Sequence, residues 1–215
     1  MIFKYALFDL DGTLFDTEDQ YSVFWGEMGR RFHPEIPNFE HVIKGTTLKQ
    51  IYSRYFPDPE TQAIVTPLLE AFEAQMNYSF FPGVKEFLED IRKHGVKCAI
   101  VTSSDQKKMS NVYRDMPEFK SYFDDILTAE RFKASKPDPD CYLRGAEALG
   151  GELDECVVFE DAYTGLQAGM SSGIFTVGVA ICHTPEEIVD KCHLVIPGFE
   201  GLTYEGLVSA ISSKR

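Results

Sequence analysis

Two acidic pairs in this chain stand at the ends of short apolar runs. Asp9 and Asp11 follow the first run of the chain, and Glu160 and Asp161 close another run much later. Carboxylates that meet within ~4–6 Å raise each other's pKa, so such a cluster needs a cation. Oxygen ligands without Cys or His favour a hard ion, and Mg²⁺ is the expected one. The four residues therefore predict a magnesium site, provided that the fold brings them together.

Strands that alternate with helices must position these acids. Runs rich in Val, Ile and Phe predict strands at residues 5–10, 98–102, 125–128, 157–160, 174–179 and 194–196. Helical patterns separate them at about 84–94, 105 onwards, 139–149, 162–171 and 203–213. This alternation predicts an α/β fold, a Rossmann-like doubly wound parallel sheet with helices on both faces. Such sheets bind ligands at the carboxyl ends of their strands, which is where both acidic pairs stand.

Residues 16–81 have a different, purely helical pattern. Apolar residues three and four positions apart predict helices at 17–30, 47–56 and 60–78. In the last of these, two rows form one predicted apolar stripe: Ile64, Leu68 and Phe72, with Val65, Leu69 and Met76. We therefore predict a core domain of residues 1–15 and 82–215. An all-helical domain of residues 16–81 is inserted into it.

Composition and charge restrict the partners. The 215 residues include 21 Lys and Arg against 34 Asp and Glu, which gives a net charge of -13. A surface this acidic repels nucleic acid and anionic membranes, so neither is an expected partner. No segment reaches the ~18 uninterrupted apolar residues of a membrane span, and Lys4 breaks the apolar N-terminus, unlike a signal peptide. We expect a cytoplasmic protein, a monomer or weak dimer, that binds a small molecule.

The five cysteines do not predict a disulfide framework. Their number is odd, and no two of them form a CxxC pair. The pairs Cys182-His183 and Cys192-His193 leave a zinc site open as an alternative, although their spacing fits no common structural zinc pattern. A surface loop and the start of a strand explain the two pairs without a metal.

Four short motifs resemble those of a known superfamily. They are Asp9-Leu10-Asp11-Gly12-Thr13-Leu14, Thr102 after Ile100-Val101, Lys136 in Ser135-Lys136-Pro137-Asp138-Pro139, and Phe159-Glu160-Asp161-Ala162-Tyr163-Thr164-Gly165. With these four motifs in this order, the chain resembles the haloacid dehalogenase-like superfamily. Within it, the chain is most similar to the subfamily of phosphoglycolate phosphatases and β-phosphoglucomutases. The helical insertion stands where that superfamily has a cap. The resemblance implies a Mg²⁺-dependent phosphatase that hydrolyses a small phosphorylated metabolite, such as a sugar phosphate, through an aspartyl-phosphate.

The resemblance also implies a role for each motif residue. Asp9 is the nucleophile that attacks phosphorus, while Asp11 protonates the leaving oxygen and then deprotonates water. Thr102 and Lys136 bind the phosphoryl group, with Ser103 beside them. The implied metal ligands are Asp9, the backbone carbonyl of Asp11, Asp161, and Glu160 directly or through water.

A polar loop in the insertion is the second predicted substrate contact. Gly45, Thr46 and Lys49 are expected to face the substrate. A helix N-cap at Thr46 or Thr47 explains the same loop equally well. The aromatic residues of the first helix are expected mainly in the core of the insertion: Tyr21, Phe24 and Trp25.

Three other functions are alternatives to the phosphatase. A dehalogenase would lack Asp11, because no leaving oxygen needs a proton. A phosphosugar mutase of the β-phosphoglucomutase type would have a histidine where Tyr21 stands and an arginine three residues after Gly45, where Leu48 stands. A binding protein without catalysis would have lost Asp9 or Asp11. The sequence leaves the substrate open among sugar phosphates, phosphoglycolate and nucleotides.

Overall fold

Six parallel strands form one sheet in the computed structural model, which describes residues 3–44 and 46–214. The strands are β1 (Tyr5–Phe8), β2 (Lys97–Val101), β3 (Asp125–Leu127), β4 (Cys156–Glu160), β5 (Phe175–Val179) and β6 (Leu194–Ile196). Their order is β3-β2-β1-β4-β5-β6. Phe8 in the central strand lies in register with Ile100 of β2 and Phe159 of β4. The strand before Asp9 therefore ends beside the strand that carries Glu160.

Helices fill the insertion between β1 and the rest of the sheet. They are α1 (Glu18–Phe32), α2 (Phe39–Val42), α3 (Leu48–Tyr55) and α4 (Pro59–Glu73). Phe24 and Trp25 of α1 are buried with Phe39 and Leu69 in a core that belongs to the insertion itself. That the insertion forms a domain of residues 16–81 stays a prediction, and so does its action as a separate cap.

Two details of the third predicted helix are wrong. Helix α4 ends at Glu73 rather than at residue 78. Ile64 and Leu68 are 45% and 40% exposed, whereas Val65 and Leu69 are buried. Successive helix residues lie about 100° apart around the axis, so a helix covered on one side buries one row more deeply than the adjacent row. Of the exposed row, Phe72 at the end of the helix still stacks on Phe24. The four-residue helix α2 was not predicted, because it is too short to show a period.

The remaining helices cover both faces of the sheet. They are α5 (Val84–Lys93), α6 (Gln106–Asp115), α7 (Asp140–Leu149), α8 (Tyr163–Ser171), α9 (Pro185–Ile188) and α10 (Tyr204–Ser212). Alternate residues of β1 point to opposite faces. Phe8 packs with Phe87 of α5 on one face, and Leu7 belongs to the cluster of Tyr142 of α7 on the other. This two-sided core confirms the predicted α/β fold class.

The cysteines and the helix lengths bear on three further points of the sequence analysis. All five cysteines are free, so the expectation of no disulfide is confirmed. Within the described residues, neither Cys-His pair belongs to a group of three or more potential metal ligands. Over residues 3–44 and 46–214, every helix is too short or too polar to cross a membrane.

Candidate active site

Three carboxylates converge at the carboxyl ends of β1 and β4. Ligand oxygens of Asp9, Glu160 and Asp161 lie within 4.8 Å of one another, and all three residues are buried. The parallel register of Phe8 with Phe159 brings the next residues of both strands to the same edge of the sheet. Three of the four predicted acids therefore meet, whereas the Asp11 side chain does not join them.

The turn after β1 is shaped around Asp161. The Thr13 hydroxyl donates to Asp161 Oδ1 over 2.7 Å. Gly12 has a φ of +82°, and a Cβ at this position would lie 2.4 Å from Asp161 Oδ2. A side chain here would displace the carboxylate, and glycine adopts this backbone without strain. The Gly-Thr pair of the first motif thus holds the acid of the fourth motif in place.

Lys136 is the cation inside this cluster. Its Nζ lies 2.5 Å from Asp9 Oδ1 and 2.6 Å from Glu160 Oε1. Burial lowers the pKa of Lys136, but the charges of Asp9 and Glu160 outweigh burial and raise it. The Tyr142 hydroxyl and the Ala162 N–H donate to Glu160 at 3.0 Å and 2.9 Å. Both carboxylate oxygens of Glu160 therefore accept hydrogen bonds, and these bonds hold Glu160 beside Lys136.

The cluster carries more negative charge than Lys136 offsets. The pKa of Asp9 rises to about 8, mainly because the carboxyl group is buried. Lys136 opposes this rise, but the charge of Glu160 partly cancels the effect of Lys136. Burial and the charges of Glu160 and Asp9 raise the pKa of Asp161 well above its usual range. A buried, all-oxygen set of this kind fits a divalent hard cation, which stabilises the ionised carboxylates.

Asp11 has surroundings unlike those of Asp9. Its Oδ1 accepts from the Thr17 hydroxyl at 2.6 Å, and its Oδ2 accepts from the Ser104 hydroxyl at 2.9 Å and Lys108 Nζ at 2.5 Å. Burial raises the pKa of Asp11, but Lys108 and the two hydroxyl donors outweigh burial and lower it. The Asp11 side chain is therefore an ionised acceptor in this conformation and lies outside the acidic cluster.

Lys108 is the residue of this site that the sequence analysis missed. Its side chain is 4% exposed, and its Nζ lies 4.6 Å from the centre of the Tyr21 ring. The Tyr21 hydroxyl in turn donates to Glu73 over 2.8 Å. Lys108 stands one helical turn before Val112, which is buried on the same face of α6. A lysine on the apolar face of a helix is the signal that could have identified it.

Thr102 and Ser103 follow β2 and line the same cavity as the acids. Thr102 is buried, and its Oγ1 accepts from the Ser104 N–H at 3.0 Å. Because Oγ1 accepts this bond, the hydroxyl hydrogen can donate to an oxygen in the cavity. The location of both residues agrees with a role in phosphoryl binding, and that role stays a prediction.

A cavity of about 890 Å³ extends from the strand ends to the helical insertion. Thr46 and Lys49 line it, and Gly45 lies outside the described residues. Thr47 is the N-cap of α3, since its Oγ1 accepts from the Gln50 N–H while Gln50 Oε1 accepts from the Thr47 N–H. The N-cap explanation of this loop is therefore confirmed at Thr47. The predicted substrate contacts stay open.

Known proteins match this chain along most of its length. A family model described as haloacid dehalogenase-like hydrolase matches residues 6–179. The chain belongs to this family. It is 32% identical over 208 residues to hexitol phosphatase A of Escherichia coli, which covers 93% of both chains. It is also 29% identical over 186 residues to a phosphorylated carbohydrates phosphatase of Thermotoga maritima, which covers 79% of this chain and 81% of that one.

A solved structure gives the same result for the fold. A hydrolase of this family from Entamoeba histolytica, described as family IA, variant 3, superimposes with a TM-score of 0.82 at 25% identity. The match covers 97% of this chain and 99% of that one. The predicted superfamily is therefore confirmed, and so is the prediction of an enzyme of this superfamily, since the relatives from Escherichia coli and Thermotoga maritima are named phosphatases.

Proposed function

We propose that this hydrolase is a Mg²⁺-dependent phosphatase of small phosphorylated metabolites in the sugar-phosphate class. The observation that carries the proposal is Asp9, held 2.5 Å from a buried lysine inside a cluster of three carboxylates. A carboxylate beside fixed positive charge can attack phosphorus while the charge of the phosphoryl oxygens is offset. The relatives named for hexitol and for phosphorylated carbohydrates support this substrate class.

The proposed reaction has two steps on Asp9. First, an Asp9 oxygen forms a bond to phosphorus, the bond to the ester oxygen breaks, and Asp11 gives that oxygen a proton. Lys136 and the Thr102 hydroxyl bind the phosphoryl oxygens. In the second step water attacks phosphorus, Asp11 takes its proton, and Asp9 and inorganic phosphate are released. Because Lys108 keeps Asp11 ionised in this conformation, Asp11 has to leave Lys108 and take up a proton from the solvent before the first step.

The acidic cluster would hold the metal. Asp9, Asp161 and the backbone carbonyl of Asp11 are the proposed ligands, with Glu160 bound directly or through water. When bound, Mg²⁺ supplies positive charge that offsets the phosphoryl oxygens and aligns the displacement. Three carboxylate oxygens within 4.8 Å, with no Cys or His among them, support the choice of a hard cation.

Charge pairing in the cavity favours a phosphatase over the mutase alternative. A mutase has to bind a second phosphate and therefore needs a cation near the insertion that is both unpaired and shielded from water, because solvent screens an exposed charge. Lys44 pairs with Glu18 at 3.0 Å, and Lys108 pairs with Asp11. Among the described residues of the cavity, Lys49 is the one lysine without an ion pair, and it is exposed. We therefore propose that the insertion acts as a cap over a neutral, hydroxylated leaving group.

Phosphate release from p-nitrophenyl phosphate tests the proposal in three samples. The wild type with Mg²⁺ should turn over, whereas the wild type with EDTA and Asp9→Asn with Mg²⁺ should not. A panel of sugar phosphates, sugar-alcohol phosphates, phosphoglycolate and nucleotides then identifies the substrate, with isomerisation of glucose phosphate followed alongside. Equal turnover in all three samples would contradict the mechanism. If the wild type released phosphate from no compound of the panel, a binding protein would be favoured.

A further inference from the structure

Gln50 connects the helical insertion to the loop that carries Lys136. It lies in the first turn of α3, and its side-chain amide forms bonds at both ends. Oε1 accepts from the Thr47 N–H at 2.8 Å and from the Thr47 hydroxyl at 3.0 Å. Nε2 donates to the Lys136 carbonyl at 3.2 Å. One side chain therefore completes the capping box of α3 and also reaches the core domain.

The partners of Gln50 fix the orientation of its amide. The backbone N–H of Thr47 can only donate, and the backbone carbonyl of Lys136 can only accept. The reversed amide would bring donor to donor at one end and acceptor to acceptor at the other. The contact with Lys136 thus follows from the chemistry of the groups present.

The loop that Gln50 contacts sets the position of the buried cation. The Lys136 backbone belongs to no helix or strand, whereas Asp9 is tied to β4 by its N–H, which donates to the Phe159 carbonyl at 3.0 Å. Lys136 Nζ nevertheless has to stay within hydrogen-bond distance of Asp9. A shift of about 1 Å in a group that positions the reactants can cost about 10²-fold in rate. A bond to this carbonyl therefore bears directly on the surroundings of the nucleophile.

We propose that Gln50 is a positioning residue for phosphoryl transfer. Its bond to the Lys136 carbonyl forms when α3 lies against the core loop, and this bond fixes Lys136 beside Asp9. The inference rests on the proposed phosphatase function. Lys136 serves the phosphoryl group, which all substrates share, so the effect of Gln50 is the same for every leaving group.

Two substitutions remove the donor in different ways. Gln50→Glu keeps the acceptor of the capping box, in which Glu is equally suitable, but adds a negative charge. Gln50→Met adds no charge but loses the acceptor. Loss of one hydrogen bond predicts a ~3–10-fold fall in kcat in both variants, with KM little changed. The fall should be equal for p-nitrophenyl phosphate and for the best sugar phosphate of the panel.

Arg54→Gln is the matched control. Arg54 is exposed one turn further along α3, lies outside the cavity, and its replacement changes the net charge by the same amount as Gln50→Glu. This variant should keep the wild-type kcat, and circular dichroism should show that all three variants fold.

Three outcomes would overturn the inference alone, given an active wild type. They are a wild-type kcat in both Gln50 variants, a loss confined to KM for the sugar phosphate, and a loss in Gln50→Glu without one in Gln50→Met. The second outcome would indicate contact with the leaving group, and the third would indicate an effect of charge. A wild type that hydrolyses no phosphate ester would instead overturn the proposed function, and this inference with it.

Discussion

The edge of the sheet and the helical insertion bury opposite kinds of side chain. At the edge, Asp9, Lys136 and Asp161 are buried together as charged or ionisable groups. In the insertion, Phe24 and Trp25 pack edge to face with ring centres 5.1 Å apart. Burying charge costs free energy unless it is paired, whereas burying aromatic rings is favourable by itself. The difference indicates that charge at the edge is buried at a cost in stability, whereas the insertion has an apolar core of its own.

Replacement of the nucleophile should show the difference between the two regions most clearly, because activity should be lost while the fold stays intact. Asp9→Asn removes the attacking oxygen and should lower kcat by about 10⁴-fold or more, since other catalytic groups cannot replace a nucleophile. Phosphate release from p-nitrophenyl phosphate with Mg²⁺ measures the effect. Circular dichroism should show an intact fold. Activity within tenfold of the wild type would show that the edge does not act through Asp9.

Two neighbouring lysines test whether a buried ion pair at the edge contributes more to stability than an ion pair on the surface. Lys108 and Asp11 are 4% and 18% exposed, whereas Lys107 and its partner Glu70 are 62% and 37% exposed. Lys108→Met leaves a buried carboxylate without its cation and should cost about 3–5 kcal/mol of unfolding free energy.

Lys107→Met is the control and should cost less than about 1 kcal/mol. Urea denaturation without metal measures both variants. Equal losses of unfolding free energy in the two variants would contradict the expected difference between the buried pair at the edge and the pair on the surface.

Adjacent leucines on α4 test whether the insertion has a core of its own. Leu69 is 4% exposed and Leu68 is 40% exposed. Leu69→Ala should destabilise the protein by about 2–3 kcal/mol, near the lower end for buried leucines because Leu69 also lines the cavity. Leu68→Ala should change the stability by no more than about 0.5 kcal/mol. Equal losses in thermal or urea unfolding would mean that both predicted rows are buried.

Metal binding should depend on pH because protons and Mg²⁺ compete for the edge. The raised pKa of Asp9, about 8, means that the folded protein keeps a proton that the unfolded chain has lost. Without metal, stability should therefore fall as pH rises from about 4 to about 8. Mg²⁺ requires the ionised form, so its stabilising effect should be larger at pH 8 than at pH 6. Each displaced proton is worth about 1.4 kcal/mol per pH unit.

Thermal melting with and without Mg²⁺ at both pH values measures this effect. Ca²⁺ at the same concentration is a useful comparison, because it also prefers oxygen ligands but has a larger coordination shell. An equal rise in Tm at both pH values would contradict the assignment of the site to Asp9.

The sequence predicted those parts of the fold and the site that depend on short stretches of the chain. Apolar runs ending in acid predicted β1, β4 and the convergence of Asp9 with Glu160, because parallel strands bring such ends to one edge. The contact of Lys108 with Asp11 joins residues 97 positions apart, so the apolar face of α6 could indicate a buried lysine but not its partner. The burial of Leu69 but not Leu68 depends on what packs against α4, which periodicity does not specify.

The phosphorylated residue of the working enzyme tests the central claim most directly. Asp11→Asn removes the proposed base for water, so the phosphoenzyme should accumulate when p-nitrophenyl phosphate is added, since p-nitrophenolate leaves without a proton donor. Acid quenching and peptide mass analysis should then find one phosphoryl group on Asp9, and hydroxylamine should remove it. A burst of p-nitrophenolate with the phosphoryl group on any other residue, or with none on the Asp9 peptide, would contradict the account.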